Sequence, residues 1–198
     1  MNQGLRGKAI AFLVFVALWL DGSFYPLILL PLLFVLLFER ESLGKIGLGG
    51  SGLRRSLLLG TGVGSAVSSI YYPVFVHYLP KRMWEGLGLF ALLTDLVWYP
   101  LYEEVAYRGF FLGSFADLGE GFSGRNLVLN LVQALFFVLV HQNHIRAGLW
   151  LLLIPIFALG FCMGLVFLRT RNIAGCVLGH SLVNGVAHLF RILTVGIL

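Results

Sequence analysis

The sequence predicts an all-α fold, a polytopic transmembrane helical bundle of about seven membrane segments. Three observations carry that expectation. Hydrophobic residues make up 59% of the chain and charged residues only 12%, too few charges to coat a soluble surface. The basic residues, which leave a net charge of +5, fall in short clusters between apolar runs: Arg6/Lys8, Arg40/Lys45, Arg54/Arg55, Lys81/Arg82 and Arg169/Arg171. Headgroup-facing loops require that spacing. Apolar stretches also recur along the whole chain without a repeat or a soluble domain boundary, so 1–198 is read as a single integral membrane domain. No aromatic-interleaved basic stripe accompanies the positive charge, so the lipid bilayer, and no nucleic acid, is the expected partner.

The segments follow in order. Ala9–Leu20 and Phe24–Phe38 are short for a bilayer, which takes about 20 residues. With Asp21-Gly22-Ser23 between them, and Pro26 and Pro31 in the second, they read as a distorted hairpin or one broken helix. Arg6 and Lys8 ahead of the first imitate a signal peptide, but no small-residue cleavage site follows, so the segment is expected to be retained. Glu39–Arg55 is a glycine-rich connection that Leu43, Ile46, Leu48 and Leu53 would rest against the interface. Leu57–Leu79 is a convincing span with a close-packing face at Gly60 and Gly64, interface anchors at Tyr71, Tyr72 and Tyr78, and a charged end at Lys81, Arg82 and Glu85. Leu87–Phe115 is long and carries Asp95, Pro100, Glu103, Glu104 and Arg108; Pro100 should break or kink it. After a turn-rich connector at Gly119–Gly124 come Asn126–Val140, then Ala147–Leu168 with Gly160-x-x-x-Gly164, then Ile173–Phe190 with Gly175-x-x-x-Gly179. Most Lys and Arg fall on one side if the amino terminus is inside, which predicts a cytoplasmic amino terminus. Cys162 and Cys176 form neither a ligand pair nor a disulfide framework.

The chemistry sits in the long segment and the two helices that carry histidine. Glu103, Glu104 and Arg108 unpaired at bilayer depth would together cost about 9 kcal/mol, at ~2.5–3.5 kcal/mol each. Packing does not require them, since Leu or Ala would serve. Glu104 and Arg108, four apart, share a helix face and can pair; Glu103 points about 100° away. The pair is therefore read as a structural clamp and Glu103 as a carboxylate available for general-base work. His141 ends one apolar helix. His180, Asn184 and His188 line one face of another, where His180 and Asn184 can donate toward a single oxygen as an oxyanion hole requires. Glu103, His141 and His180 are also a conceivable zinc set. His-Glu-x-x-His is absent, however, and glutamate-activated water needs no metal, so no metal or other cofactor is expected. Neither Ser114 nor Ser181 has a nucleophile-elbow context.

These motifs resemble a known family. Glu103-Glu104-Val105-Ala106-Tyr107-Arg108 is similar to the Glu-Glu-x-x-x-Arg motif of the CAAX-protease and bacteriocin-processing intramembrane family. Phe137-Val138-Leu139-Val140-His141 resembles its Phe-x-x-x-His motif, and His180-Ser181-Leu182-Val183-Asn184 its His-x-x-x-Asn/Asp motif, all in family order. The resemblance implies the intramembrane glutamate-protease bundle, with residues 87–190 as the catalytic core. It implies that Glu103 activates the hydrolytic water with help from His141, that His180 and Asn184 hold the oxyanion, and that Glu104 and Arg108 support the site. The expected activity is metal-independent cleavage of a membrane-associated peptide or protein in a prokaryotic inner or plasma membrane. A noncatalytic immunity or peptide-binding protein of the same fold is the alternative. The motifs give no role to His144 and His188, which are expected at packing or interface positions, with the cavity rim as the alternative. Asp95, eight residues before Glu103, could approach the same face; the other reading is a helix–helix hydrogen bond.

Overall fold

Apolar runs punctuated by glycine, proline and charge leave the backbone one economical way to satisfy its own hydrogen bonds, and every regular element is helical among the described residues, 3–21, 29–39, 43–78 and 89–195 of a computed structural model. The elements are α1 (Gln3–Asp21), α2 (Leu30–Glu39), α3 (Leu53–Tyr78), α4 (Leu89–Leu93), α5 (Tyr99–Glu104), α6 (Gly113–Phe115), α7 (Gly124–Leu139), α8 (Gln142–Arg146), α9 (Leu153–Thr170) and α10 (Ala174–Val195). Two π-helical stretches, Thr94–Trp98 and Val105–Leu112, join α4, α5 and α6 into one continuous helical path. Pro100, expected to break or kink this path, does not break it: the helix runs through, with π-helical register over Thr94–Trp98 just ahead of the proline.

Glycine decides how closely the helices approach. α10 packs most extensively on α3. A side chain on Gly60 would overlap the carbonyl of Gly175, and one on Gly64 would lie 2.7 Å from the Cα of Gly179. The two Gly-x-x-x-Gly faces therefore meet backbone to backbone. The connection between α2 and α3 does not lie wholly at the surface. Ile46 is buried, while Leu43, Leu48 and Leu53 remain exposed. Ile46 is drawn in because its carbonyl closes on Gly109, where a Cβ would come within 2.7 Å. The same segment is tied to the turn between α9 and α10, where Ile173 N–H donates to Gly47 O at 3.0 Å and Asn172 Nδ2 donates to Ser51 O at 3.1 Å.

α1 and α2 pack against each other, which favours the hairpin over one broken helix. Phe12, Phe15 and Trp19 of α1 also form an aromatic wedge behind the long helical path: Phe12 meets Tyr107 edge-on at 5.7 Å and Trp19 stacks on Tyr102 at 4.7 Å. The expectation of about seven membrane segments is corrected. Among the described residues, two helices are long and apolar enough to cross a membrane, Leu53–Val74 and Trp150–Thr170, the latter with a mean hydropathy of 2.7. The others fall short for physical reasons. α2 has 10 residues and α7 has 16. The path from α4 to α6 carries Asp95, Glu103, Glu104 and Arg108, and α10 carries His180, Asn184 and His188. The Gly22-Ser23 turn, Pro26, Lys81, Arg82, Glu85 and the ends of the second and third expected segments lie outside the described residues.

Candidate active site

The site forms where the long helical path crosses α10. Its spacing matches on both sides: Glu104 meets His180 and Asp95 meets His188, so nine residues of one helix run antiparallel to eight of the other, ~12–13 Å of rise each.

Glu104 is fully buried, and its Oε1 accepts from two donors. Arg108 Nη1 lies at 3.0 Å and His180 Nδ1 at 3.0 Å. The expected Glu104–Arg108 pair is thus present, and the same oxygen also orients the histidine. Arg108 is anchored further by donating to Gly160 O at 2.8 Å, which Gln133 Nε2 shares at 2.8 Å. Gly160 and Gly164 leave room for this, since a side chain on Gly164 would overlap the Asn130 carboxamide. The guanidinium also stands 4.9 Å above the Phe137 ring, which meets His180 edge-on at 5.8 Å.

Glu103, one residue earlier, points elsewhere, as the 100° offset requires. It is 5% exposed, lines a cavity of about 200 Å³, and its Oε2 lies 3.7 Å from His180 Nε2. Because a carboxylate accepts, His180 Nδ1 carries the proton toward Glu104, leaving Nε2 to face Glu103. The four groups comprise two carboxylates, one permanent cation and one imidazole.

The Phe-x-x-x-His spacing has a local reason. His141 Nδ1 lies 2.7 Å from the carbonyl of Phe137, one turn back. A carbonyl can only accept, so Nδ1 carries the proton and Nε2 is an acceptor. His141 lines the same cavity as Glu103, His180 and Asn184. The structure therefore brings together the four residues singled out as catalytic, with Glu104 and Arg108 behind them.

Four residues are placed more specifically than the sequence implied. Asn184 does not point freely alongside His180, because its Nδ2 donates to the backbone carbonyl of Asp95 at 2.8 Å. His144 and His188, expected at packing or interface positions or at the cavity rim, both line the cavity. His188 Nε2 lies 2.9 Å from Asp95 Oδ2, so Asp95 is the helix–helix hydrogen bond it was read as, and a cavity wall as well. Tyr71, expected as an interface anchor, also lines the cavity. It lies seven residues after Gly64, on the glycine face that meets α10, and that register was the signal available for it. Its neighbour Tyr72 stays exposed, and the side chain of Tyr78 lies outside the described residues. Among the described residues, no three His, Cys, Asp or Glu side chains converge as a metal-ligand set.

Comparison with known proteins gives one match. The sequence model of the family described as type II CAAX prenyl endopeptidase Rce1-like matches residues 84–186. That span takes in Asp95, Glu103, Glu104, Arg108, His141, His180 and Asn184. No curated protein and no solved structure matches the chain.

Proposed function

The chain belongs to the type II CAAX prenyl endopeptidase Rce1-like family, and from that premise we propose that it is a metal-independent intramembrane glutamate endopeptidase, with Glu103, His141, His180 and Asn184 as its catalytic residues. The observation that carries the reading is the unequal pair of carboxylates on His180. Glu104 holds Nδ1 at 3.0 Å, while Glu103 stands off Nε2 at 3.7 Å and opens onto the cavity. In the proposed mechanism His180 acts with a proton on both ring nitrogens, so that Nε2–H is a donor beside the Glu103 carboxylate.

In this mechanism a water in the cavity donates hydrogen bonds to Glu103 and to His141 Nε2. Its oxygen attacks the peptide carbonyl carbon while Glu103 takes its proton. The carbonyl oxygen gains the electron pair and accepts from His180 Nε2–H and the Asn184 amide. As the tetrahedral centre collapses, the C–N bond breaks and Glu103 returns the proton to the leaving amine. Atoms and charge balance without a covalent enzyme intermediate or a cofactor. The cavity, about 200 Å³, holds roughly seven waters' worth of space at ~30 Å³ each, enough for one peptide group with its water.

The substrate is a membrane-associated peptide or protein that presents an extended segment, and the family makes a prenylated carboxy-terminal tail the first to test. The protein is a membrane protein, with its amino terminus on the cytoplasmic side by the distribution of Lys and Arg. The catalytic core is 87–190 within one domain. Proteomic comparison of membranes containing wild-type or Glu103→Gln protein tests this directly. New peptide termini should be present with the wild type and absent with the variant; an identical set of termini in both would refute the assignment.

A further inference from the structure

The proposed mechanism leaves one connection unused, the turn of helix that faces Asn184. Thr94–Trp98 is π-helical, and Tyr99 N–H donates to Thr94 O five residues back. The next bond in that register would run from residue 100 to the carbonyl of Asp95. Residue 100 is proline and has no N–H. The carbonyl of Asp95 therefore lacks its helical donor, and an unsatisfied carbonyl among apolar helices is costly. Asn184 Nδ2 supplies the donor at 2.8 Å.

We propose that Asp95 is a positioning residue for Asn184 and that Pro100 is what makes its carbonyl available. An amide nitrogen carries two N–H groups in one plane. Engaging one with Asp95 O fixes the direction of the other, which the oxyanion needs. The Asp95 side chain secures the same turn, with Oδ2 at 2.9 Å from His188 Nε2, one helical turn beyond Asn184. One residue thus grips α10 at two positions four apart, by backbone and by side chain, and this sets both the height and the rotation of the Asn184 amide. Asp95, Asn184 and His188 all line the catalytic cavity, which puts the grip beside the reacting groups.

This inference rests on the reading of Asn184 as an oxyanion donor, and the experiment separates the two. In purified protein labelled with ¹⁵N-asparagine, the Asn184 side-chain amide signals are identified by their loss in Asn184→Ala. Pro100→Ala, which restores an N–H in competition for Asp95 O, should shift those signals, and Asp95→Ala should shift them too. On an internally quenched farnesylated peptide ending in a CAAX sequence, both variants should lower kcat about tenfold with KM unchanged, while Asp95→Asn, which keeps an acceptor for His188, stays within about twofold. In an Asn184→Ala background neither Pro100→Ala nor Asp95→Ala should reduce turnover further, because each acts through Asn184. Asn184 signals unmoved by both variants, wild-type kcat in both, or the same loss in the Asn184→Ala background would each overturn the proposal. Glu103→Gln is the control for the mechanism itself. If it turns the peptide over as well as wild type, the glutamate-base reading fails and the Asn184 signals alone decide the positioning.

Discussion

The same face of α10 is held twice by the same helical path, and the two holds differ in burial more than in chemistry. Each joins a histidine of α10 to an acid across the interface: His180 to Glu104, and His188 to Asp95. At the inner hold, Glu104 and Arg108 are fully buried, and Arg108 reaches α9 as well. At the outer hold, the Asp95 side chain is 32% exposed. Water can replace a lost partner of Asp95 but not one of Glu104. The same pairing of histidine with a carboxylate should thus act as a fold determinant at one end of the cavity and as an adjustable wall at the other.

Arg108→Ala tests the extreme of that difference. It leaves Glu104 without its cation and takes a donor from Gly160 O, a loss worth about 3–5 kcal/mol for a broken buried pair. We expect little folded protein to survive extraction, checked by size-exclusion profile and thermal unfolding. A variant as stable as wild type would mean the inner hold is no more structural than the outer. Glu103→Gln should separate chemistry from folding at the inner hold, since Glu103 faces the cavity and is outside the hydrogen bonds of Glu104. Its unfolding midpoint should stay close to wild type while turnover falls by at least ~10²-fold, the lower end of what a general base supplies. Parallel loss of both would return Glu103 to the structural cluster. His188→Ala comes next in size. Solvent around Asp95 limits the cost to about 1 kcal/mol. A loss matching that of Arg108→Ala would erase the contrast between the two holds.

How much of this was legible in sequence divides along the same line. The Glu104–Arg108 part of the inner hold was, because burying Glu103, Glu104 and Arg108 is costly enough that their spacing alone implies pairing; that His180 of another helix donates to the same carboxylate was not. The outer hold was only half visible. Asp95 and His188 were noticed as polar side chains on apolar helices, but nothing in their spacing says that one helix meets the other in the register that pairs them. The effect of Pro100 was only partly visible for a related reason. Proline signals a lost hydrogen bond, and the sequence does not show that a π-helical stretch carries that loss to Asp95 or that Asn184 compensates it. Tyr71 was assigned to the membrane interface by residue type, although its register with Gly60 and Gly64 placed it toward α10. The count of membrane segments failed where hydrophobicity was the only guide, since apolar content says little about how long α2 and α7 remain helical or how much of α10 is given to polar contacts.

The smallest effect is expected from withdrawing divalent metal, and it bears on both holds at once. A zinc ion would need three or more donors within about 2.0–2.2 Å. The nitrogens and oxygens nearest the cavity are largely committed elsewhere: Glu104 Oε1 to Arg108 and His180, His141 Nδ1 to Phe137 O, and His188 Nε2 to Asp95. Recruiting Glu103, His141 and His180 together would require moving groups whose orientation those bonds fix, and no such set converges among the described residues. In the proposed mechanism base, proton donor and oxyanion donors are all side chains, so turnover of the farnesylated peptide should be unchanged after exhaustive metal removal. The measurement pairs activity with metal content by elemental analysis, because a chelator can disturb a membrane preparation without removing an ion. Stoichiometric zinc in active protein, with activity lost on its removal and restored on its return, would show that the inner hold rearranges around a metal. The contacts among Glu103, Glu104, Arg108 and His180 would then describe only the metal-free protein.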